Sequence, residues 1–188
     1  VTDLQVSVFL EGAGAAASNV ANAGEATFQG LELELIWQLA ESVVVSANYG
    51  YLDAQYDEFI ENGVDVKDAK DVPYASENTL SLTLDWALGN VGFGDLDLHV
   101  DWNYNDDYVP YINPDQNAAS MIDSYDILNA SLILSEVSIG SNSSLQFSLW
   151  GKNITDEEYR QNTIPFGLWT ISYFGQPATY GFDARLNF

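Results

Sequence analysis

Apolar and polar residues alternate along most of this chain with a period of two. At the C-terminus Ala178, Tyr180, Phe182, Ala184, Leu186 and Phe188 are apolar, while Thr179, Gly181, Asp183, Arg185 and Asn187 are polar or tiny. Such a pattern predicts a β-strand with one face in an apolar medium and the other in water. The same alternation predicts seven earlier strands. They are marked by Leu4–Val6–Val8–Leu10, Leu31–Leu33–Leu35–Trp37–Leu39, Val43–Val45–Ala47–Tyr49–Tyr51 and Leu80–Leu82–Leu84–Trp86–Leu88. Further along come Leu96–Leu98–Val100–Trp102–Tyr104, Leu128–Ala130–Leu132–Leu134 and Leu145–Phe147–Leu149. No segment carries a convincing helical period.

The connections between these strands alternate in length. Short turns are predicted near residues 40–41, 89–94 and 136–143, and long loops at 11–23, 53–77, 105–123 and 154–176. Long loops at one end and tight turns at the other are the mark of an outer-membrane barrel, with the turns periplasmic and the loops extracellular. The aromatics agree. Trp37, Trp86 and Phe188 fall at the turn end; Tyr49, Tyr51, Trp102 and Tyr104 fall at the loop end, giving two interfacial belts. The predicted fold is therefore all-β: an antiparallel up-and-down transmembrane β-barrel segment of about eight strands.

Composition narrows the function. The chain has 28 acidic residues against five basic ones, a formal net charge of −23, which excludes phosphate-directed nucleic-acid binding. Its hydrophobic content of 47% argues for a folded chain despite that charge. There is no cysteine, hence no disulfide framework or thiol chemistry. No apolar run is long enough for a transmembrane helix, a test that β-barrels evade. Val1 begins almost within a strand, and no signal peptide precedes it, so the chain reads as a piece of a longer protein.

Several stretches resemble the β-barrel of TonB-dependent outer-membrane receptors. They are NAGEATFQGLELEL at 22–35, ANYGYLDAQYD at 47–57 and VPYASENTL at 72–80. The most specific is WGKNITDEEY at 150–159, followed by FGQPATYG at 174–181. Ala178 departs from the pattern, where relatives often carry arginine. The resemblance extends from Asp3 to Phe188 and implies that residues 1–188 are the C-terminal portion of a barrel of about 22 strands, with the plug and earlier strands outside this sequence. It implies energy-coupled uptake of a scarce nutrient, often an iron–siderophore complex, and no enzymatic activity or cofactor. The implied partners are outer-membrane lipid and lipopolysaccharide, the barrel assembly machinery, a small-molecule ligand, and the TonB–ExbB–ExbD complex through the N-terminal part. Tyr180, Phe182, Leu186 and Phe188 would form the closing strand read during assembly.

Candidate chemistry is sparse. His99, the only histidine, shares a polar strand face with Asp97 and Asp101. A catalytic site would also need a nucleophile or activated water, and a metal site usually more imidazole or thiolate; the plainer reading is a residue lining a wet lumen. The loop at 53–77 carries eight carboxylates against Lys67 and Lys70, but lacks the ligand order of an EF-hand. Loop aromatics Tyr108, Tyr111, Phe166, Trp169, Tyr173 and Phe174 are candidates either to contact a ligand or to pack the loops on one another. Two other readings of the chain stand beside the receptor: a complete eight-stranded barrel acting as an adhesin or structural protein, and a soluble carbohydrate-binding β-sandwich.

Overall fold

The computed structural model describes residues 1–9, 18–140, 142–166 and 169–188. Eight strands form one continuous antiparallel meander. They are β1 (Thr2–Phe9), β2 (Ser18–Ala40), β3 (Val43–Glu58), β6 (Asn78–Asn90), β7 (Asp95–Asn105), β8 (Tyr125–Ser138), β9 (Ser144–Lys152) and β12 (Thr179–Asn187). Four short strands lie in the long connections: β4 (Ile60–Glu61) pairs with β5 (Val64–Asp65), and β10 (Arg160–Pro165) pairs with β11 (Thr170–Phe174). One α-helical turn, α1, covers Pro114–Asn117, and a 3-10 turn covers Lys67–Ala69. The large sheet is open, with β1 and β12 as its edges.

Every predicted strand is present, but β2 begins earlier than expected. Residues 18–23, read from the sequence as part of a loop, pair with β1 instead. Leu10 and the rest of that expected loop lie outside the described residues. The loop at 154–176 also holds the unpredicted β10–β11 hairpin.

Register keeps the two faces of the sheet separate across many strands. One apolar row runs Leu35, Ala47, Leu82, Trp102, Leu128, and another joins Trp86, Leu98, Leu132 and Leu149. The intervening row Gln38, Val44, Asp85, His99, Ser131, Trp150, Gly181 lies on the opposite face. Leucines and tryptophans of the apolar face stay uncovered: Leu33 is 56% exposed and Trp37 58%. In a water-soluble sheet such a surface would need a covering layer; in a barrel wall it meets lipid.

The loop-end aromatics of that face find partners for their polar tips. Tyr49 donates its hydroxyl to Asn78 Oδ1 (2.7 Å), Trp102 Nε1 donates to Asp126 (2.7 Å), and Tyr104 donates to Asp106 (3.1 Å). An amphipathic ring with its body in lipid and its tip hydrogen-bonded suits the membrane interface.

Above this belt the two faces exchange character. In the β2–β3 register between Ala26 and Gln38, Thr27, Gln29, Asp53 and Gln55 continue the face that carried leucines and tyrosines, with Asp57 at the irregularity above them. Thr27 donates to Asp57 (2.6 Å) and Gln29 to Asp53 (2.8 Å). The opposite face turns apolar, with Ala26, Phe28, Leu52, Ala54 and Tyr56. The loops fold onto it there. Ala26, Tyr56, Phe59 and Ile112 make a buried cluster, with Val66 and Val72 packed against it. Among the described residues, this compact core sits where the loop layer meets the upper ends of β2 and β3.

Candidate functional site

The loop layer is tied together by polar side chains from separate connections. Asn117 is 5% exposed; it donates to Asp71 (2.7 Å) and to the Tyr111 carbonyl (2.6 Å), and accepts from Tyr111 N–H. Lys70 pairs with Glu61 (3.1 Å) and donates to Asn113 (2.8 Å), joining residues 43 apart in sequence. Asp65 accepts from the Phe59 and Lys67 amides, closing the small β4–β5 turn. Those two backbone hydrogen bonds hold its carboxyl below the usual carboxylate range, the Phe59 bond contributing most.

The predicted ligand aromatics divide into two groups. Tyr108 and Tyr111 are struts. Their hydroxyls donate to the carbonyls of Gln161 (3.2 Å) and Thr163 (2.7 Å), fastening the loop between β7 and β8 to the β10–β11 hairpin. Burial raises both phenols above their ordinary pKa, so they remain donors at neutral pH. Phe166 and Trp169 stack on one another at the hairpin tip with centroids 5.1 Å apart. Trp169, Tyr173 and Phe174 stay more than half exposed.

Phe174 faces a cleft of about 530 Å³, together with Tyr125, Tyr159, Asp123, Arg160 and Glu157. Tyr125 and Tyr159 stack with centroids 4.5 Å apart. Tyr159 closes the 150–159 motif but does not stand out in the sequence as a site residue, Tyr125 sits at the end of a different connection, and only the fold brings them together. A second cleft, of about 680 Å³, lies on the polar face beneath the loops. Glu32, Glu34, Asn48, Ser81, Asn103 and Tyr125 line it. Gly50, between Glu32 and Thr79 in the register, leaves its floor open.

His99 meets a partner on the next strand rather than the neighbours on its own. Its Nδ1 lies 2.6 Å from Asp85 Oδ1, while Asp101 accepts from Asn129 (2.6 Å). Among the described residues, no three His, Asp or Glu side chains converge as a metal site. Carboxylates of the acidic loop are spread among structural contacts, such as Asp57 with Thr27 and Asp71 with Asn117.

The stretch at 150–159 builds the junction between β9 and β12. Asn153 is 3% exposed and sits at φ 47°, a left-handed conformation that asparagine tolerates. Its side chain donates to the carbonyls of Glu157 and Gln176 and accepts from the Glu157 amide, each at 2.9 Å. Asp156 accepts from the Ala178 amide (2.9 Å). The segment leading to β12 is thus anchored through the backbone at Ala178.

An open meander with an uncovered apolar face, an aromatic belt and folded loops at one end defines a wall of a bacterial outer-membrane β-barrel. Residues 1–154 match the family model described as TonB dependent receptor-like, beta-barrel, and the chain belongs to that family. Its members are transport receptors of the Gram-negative outer membrane, not enzymes. Similar solved structures include the ferric yersiniabactin uptake receptor FyuA from Yersinia pestis, at 20% identity and a TM-score of 0.71 over 90% of this chain and 25% of that one. BauA, the ferric preacinetobactin receptor from Acinetobacter baumannii, is 19% identical with a TM-score of 0.65, over 97% of this chain and 25% of BauA. The chain thus spans about a quarter of the length of the receptors it matches. No curated protein matches it closely.

Proposed function

We propose that this chain is the C-terminal portion of the barrel of an outer-membrane active-transport receptor for a scarce nutrient, most simply an iron–siderophore complex. The reading rests on family membership over residues 1–154. It gains support from two structural relatives whose names specify ferric chelates. The segment supplies wall and extracellular loops; TonB–ExbB–ExbD acts through the plug-bearing part of the longer protein. Tyr180, Phe182, Leu186 and Phe188 on or beside β12 serve the assembly machinery, and the exposed loop aromatics Trp169, Tyr173 and Phe174 supply contacts for the incoming complex.

The test is iron-limited growth and radio-iron uptake by cells lacking the full-length receptor, with and without a plasmid copy. Uptake that depends on both the receptor and TonB supports the reading. A receptor correctly assembled in the outer membrane that restores no uptake of any ferric complex refutes it. The isolated chain checks the rival small barrel. Unpaired edges at β1 and β12 are intolerable in lipid, so residues 1–188 alone should aggregate or oligomerise in detergent. A heat-modifiable monomer with native dispersion would favour a stand-alone barrel.

A further inference from the structure

A continuous chain of hydrogen bonds runs from the polar face of the wall to the β10–β11 hairpin. Asp101 of β7 and Asn129 of β8 are direct cross-strand partners on that face. Asn129 Nδ2 donates to Asp101 Oδ2 (2.6 Å). Its other end, Oδ1, accepts from the Asn153 amide (2.9 Å), one residue past the end of β9. The Asn153 side chain in turn holds both feet of the hairpin. It grips the Glu157 amide and carbonyl on the way into β10, and the Gln176 carbonyl on the way out of β11. A backbone bond from the Gly175 amide to the Tyr159 carbonyl (2.8 Å) joins the same two feet.

The direction of each bond is dictated by chemistry. A carboxylate only accepts and a backbone N–H only donates. Asn129 satisfies both because its amide carries donors at one end and an acceptor at the other. Asp101 thereby fixes which end of Asn129 faces β9, and that end fixes the backbone at Asn153. Position 153 has little slack: it is 3% exposed and left-handed at φ 47°, so an N–H left unpaired there would find no ready replacement in water. Tyr108 and Tyr111 hold β10 from the neighbouring connection, through the carbonyls of Gln161 and Thr163. The hairpin is thus located along its first strand by two tyrosines and at its feet by Asn153.

Taking the transport reading as given, we infer that Asp101 and Asn129 are positioning residues for cargo capture. Acting through Asn153, they set the seat of the hairpin that presents Trp169, Tyr173 and Phe174. The coupling runs through contiguous hydrogen-bonded groups from the barrel wall to the extracellular layer. Loosened feet give the hairpin freedom that must be surrendered when a complex is captured, which weakens affinity. Passage of a complex already bound is unaffected.

The test uses the full-length receptor with two readouts. One is amide exchange over residues 153–160 and 172–178, with the β2–β3 wall as internal reference. The other is the concentration dependence of radio-iron uptake, using whichever of a ferric trihydroxamate, a ferric tris-catecholate and a ferric α-hydroxycarboxylate the unaltered receptor transports. N129D keeps an acceptor for the Asn153 amide but sets a carboxylate against Asp101. It should speed exchange at the hairpin feet by about tenfold, as expected for loss of one charge-assisted hydrogen bond. KM for uptake should rise about three- to tenfold, with Vmax unchanged. D101N/N129D reverses the roles: the new amide at position 101 donates to the new carboxylate at 129, which still accepts from Asn153. Both readouts should return toward those of the unaltered receptor. An assembly defect would instead lower Vmax through receptor number and leave KM alone. D101L, which strips Asn129 of its acceptor, should act as N129D does and carries the test if N129D does not reach the membrane. Unchanged exchange at the feet, no rescue in the double variant, or a fall in Vmax alone overturns the inference while leaving iron transport intact. Uptake of none of the three complexes by the unaltered receptor overturns the transport reading, and the exchange pattern still decides whether Asp101 seats the hairpin.

Discussion

Trp150 of β9 lies across Gly181 of β12. The two are direct cross-strand partners, and an added Cβ at Gly181 would collide with the Trp150 ring. The indole Nε1 reaches past that glycine to donate to Asp183. The ring thereby covers a stretch of backbone that a side chain would otherwise shield, and glycine is the residue that lets it lie flat.

This contact predicts a dependence between two substitutions. Gly181→Ala should destabilise the full-length barrel by about 1–3 kcal/mol, the range for forced overpacking. In a Trp150→Ala background, where the ring is gone, the same change should cost much less. A double-mutant cycle on the heat-modifiable unfolding transition measures the coupling. Equal costs in both backgrounds would show that the ring does not dictate the glycine.

The two faces of the wall predict opposite tolerance to arginine. Leu82, Leu98 and Leu132 lie in apolar rows whose neighbours include Trp102, Trp86 and Leu149. Arginine at any of them should cost about 2–4 kcal/mol near mid-membrane, less toward the interfaces. Ser81, Asp97 and Ser131, one residue away in each case, lie on the polar face and should accept arginine with far smaller losses. Folded yield in outer membranes separates the two sets, and equal losses would reverse the assignment of faces.

Asn153 predicts an ordering of variants. Asn153→Ala removes two donated bonds and one accepted bond at a buried site, at a cost of about 2–4 kcal/mol. Asn153→Asp should be at least as damaging, because a carboxylate would face two carbonyls it cannot donate to. Thermal unfolding of the receptor in detergent gives both values. A milder effect for Asp than for Ala would mean that the carbonyl contacts carry little weight.

The pattern of alternation makes the wall legible: eight strands and their turn ends. The upper parts of β2 and β3 were harder, because at Gly30 and Leu52 the alternation continues while its polarity inverts. A local window takes that inversion for the end of a strand. The β10–β11 hairpin escaped notice because short strands containing Asn162 and Pro165 resemble loop composition. Tyr108 and Tyr111 were identified as candidates, but their role as struts depends on carbonyls 53 and 52 residues away. Scarcity of cations was visible from composition; their commitment to particular partners was not.

Asp65 predicts how the small β4–β5 turn responds to acid. Its folded-state pKa is lowered from an ordinary 3.8 by the Phe59 and Lys67 amides. Its contribution is therefore fully present above the ordinary value and lost as pH falls through the depressed one. Exchange protection of the Phe59 and Lys67 amides should hold from neutral pH to about pH 4 and weaken below it. Asp65→Ala should remove that protection at all pH values. Protection that declines between pH 7 and 5 would point to another titrating group.

The cluster of Ala26, Tyr56, Phe59 and Ile112 joins two wall strands to two different connections. A mouth built this way behaves as a plate, not as a fringe of independent arms. Displacing one connection drags on the other through shared packing, and freeing either alone exposes Phe59 or Ile112 to water. Shape in this part of the loop layer is therefore set by packing, and little conformational freedom remains in either connection. Altering one connection would require a compensating change on the other, so that the two loops evolve by paired steps.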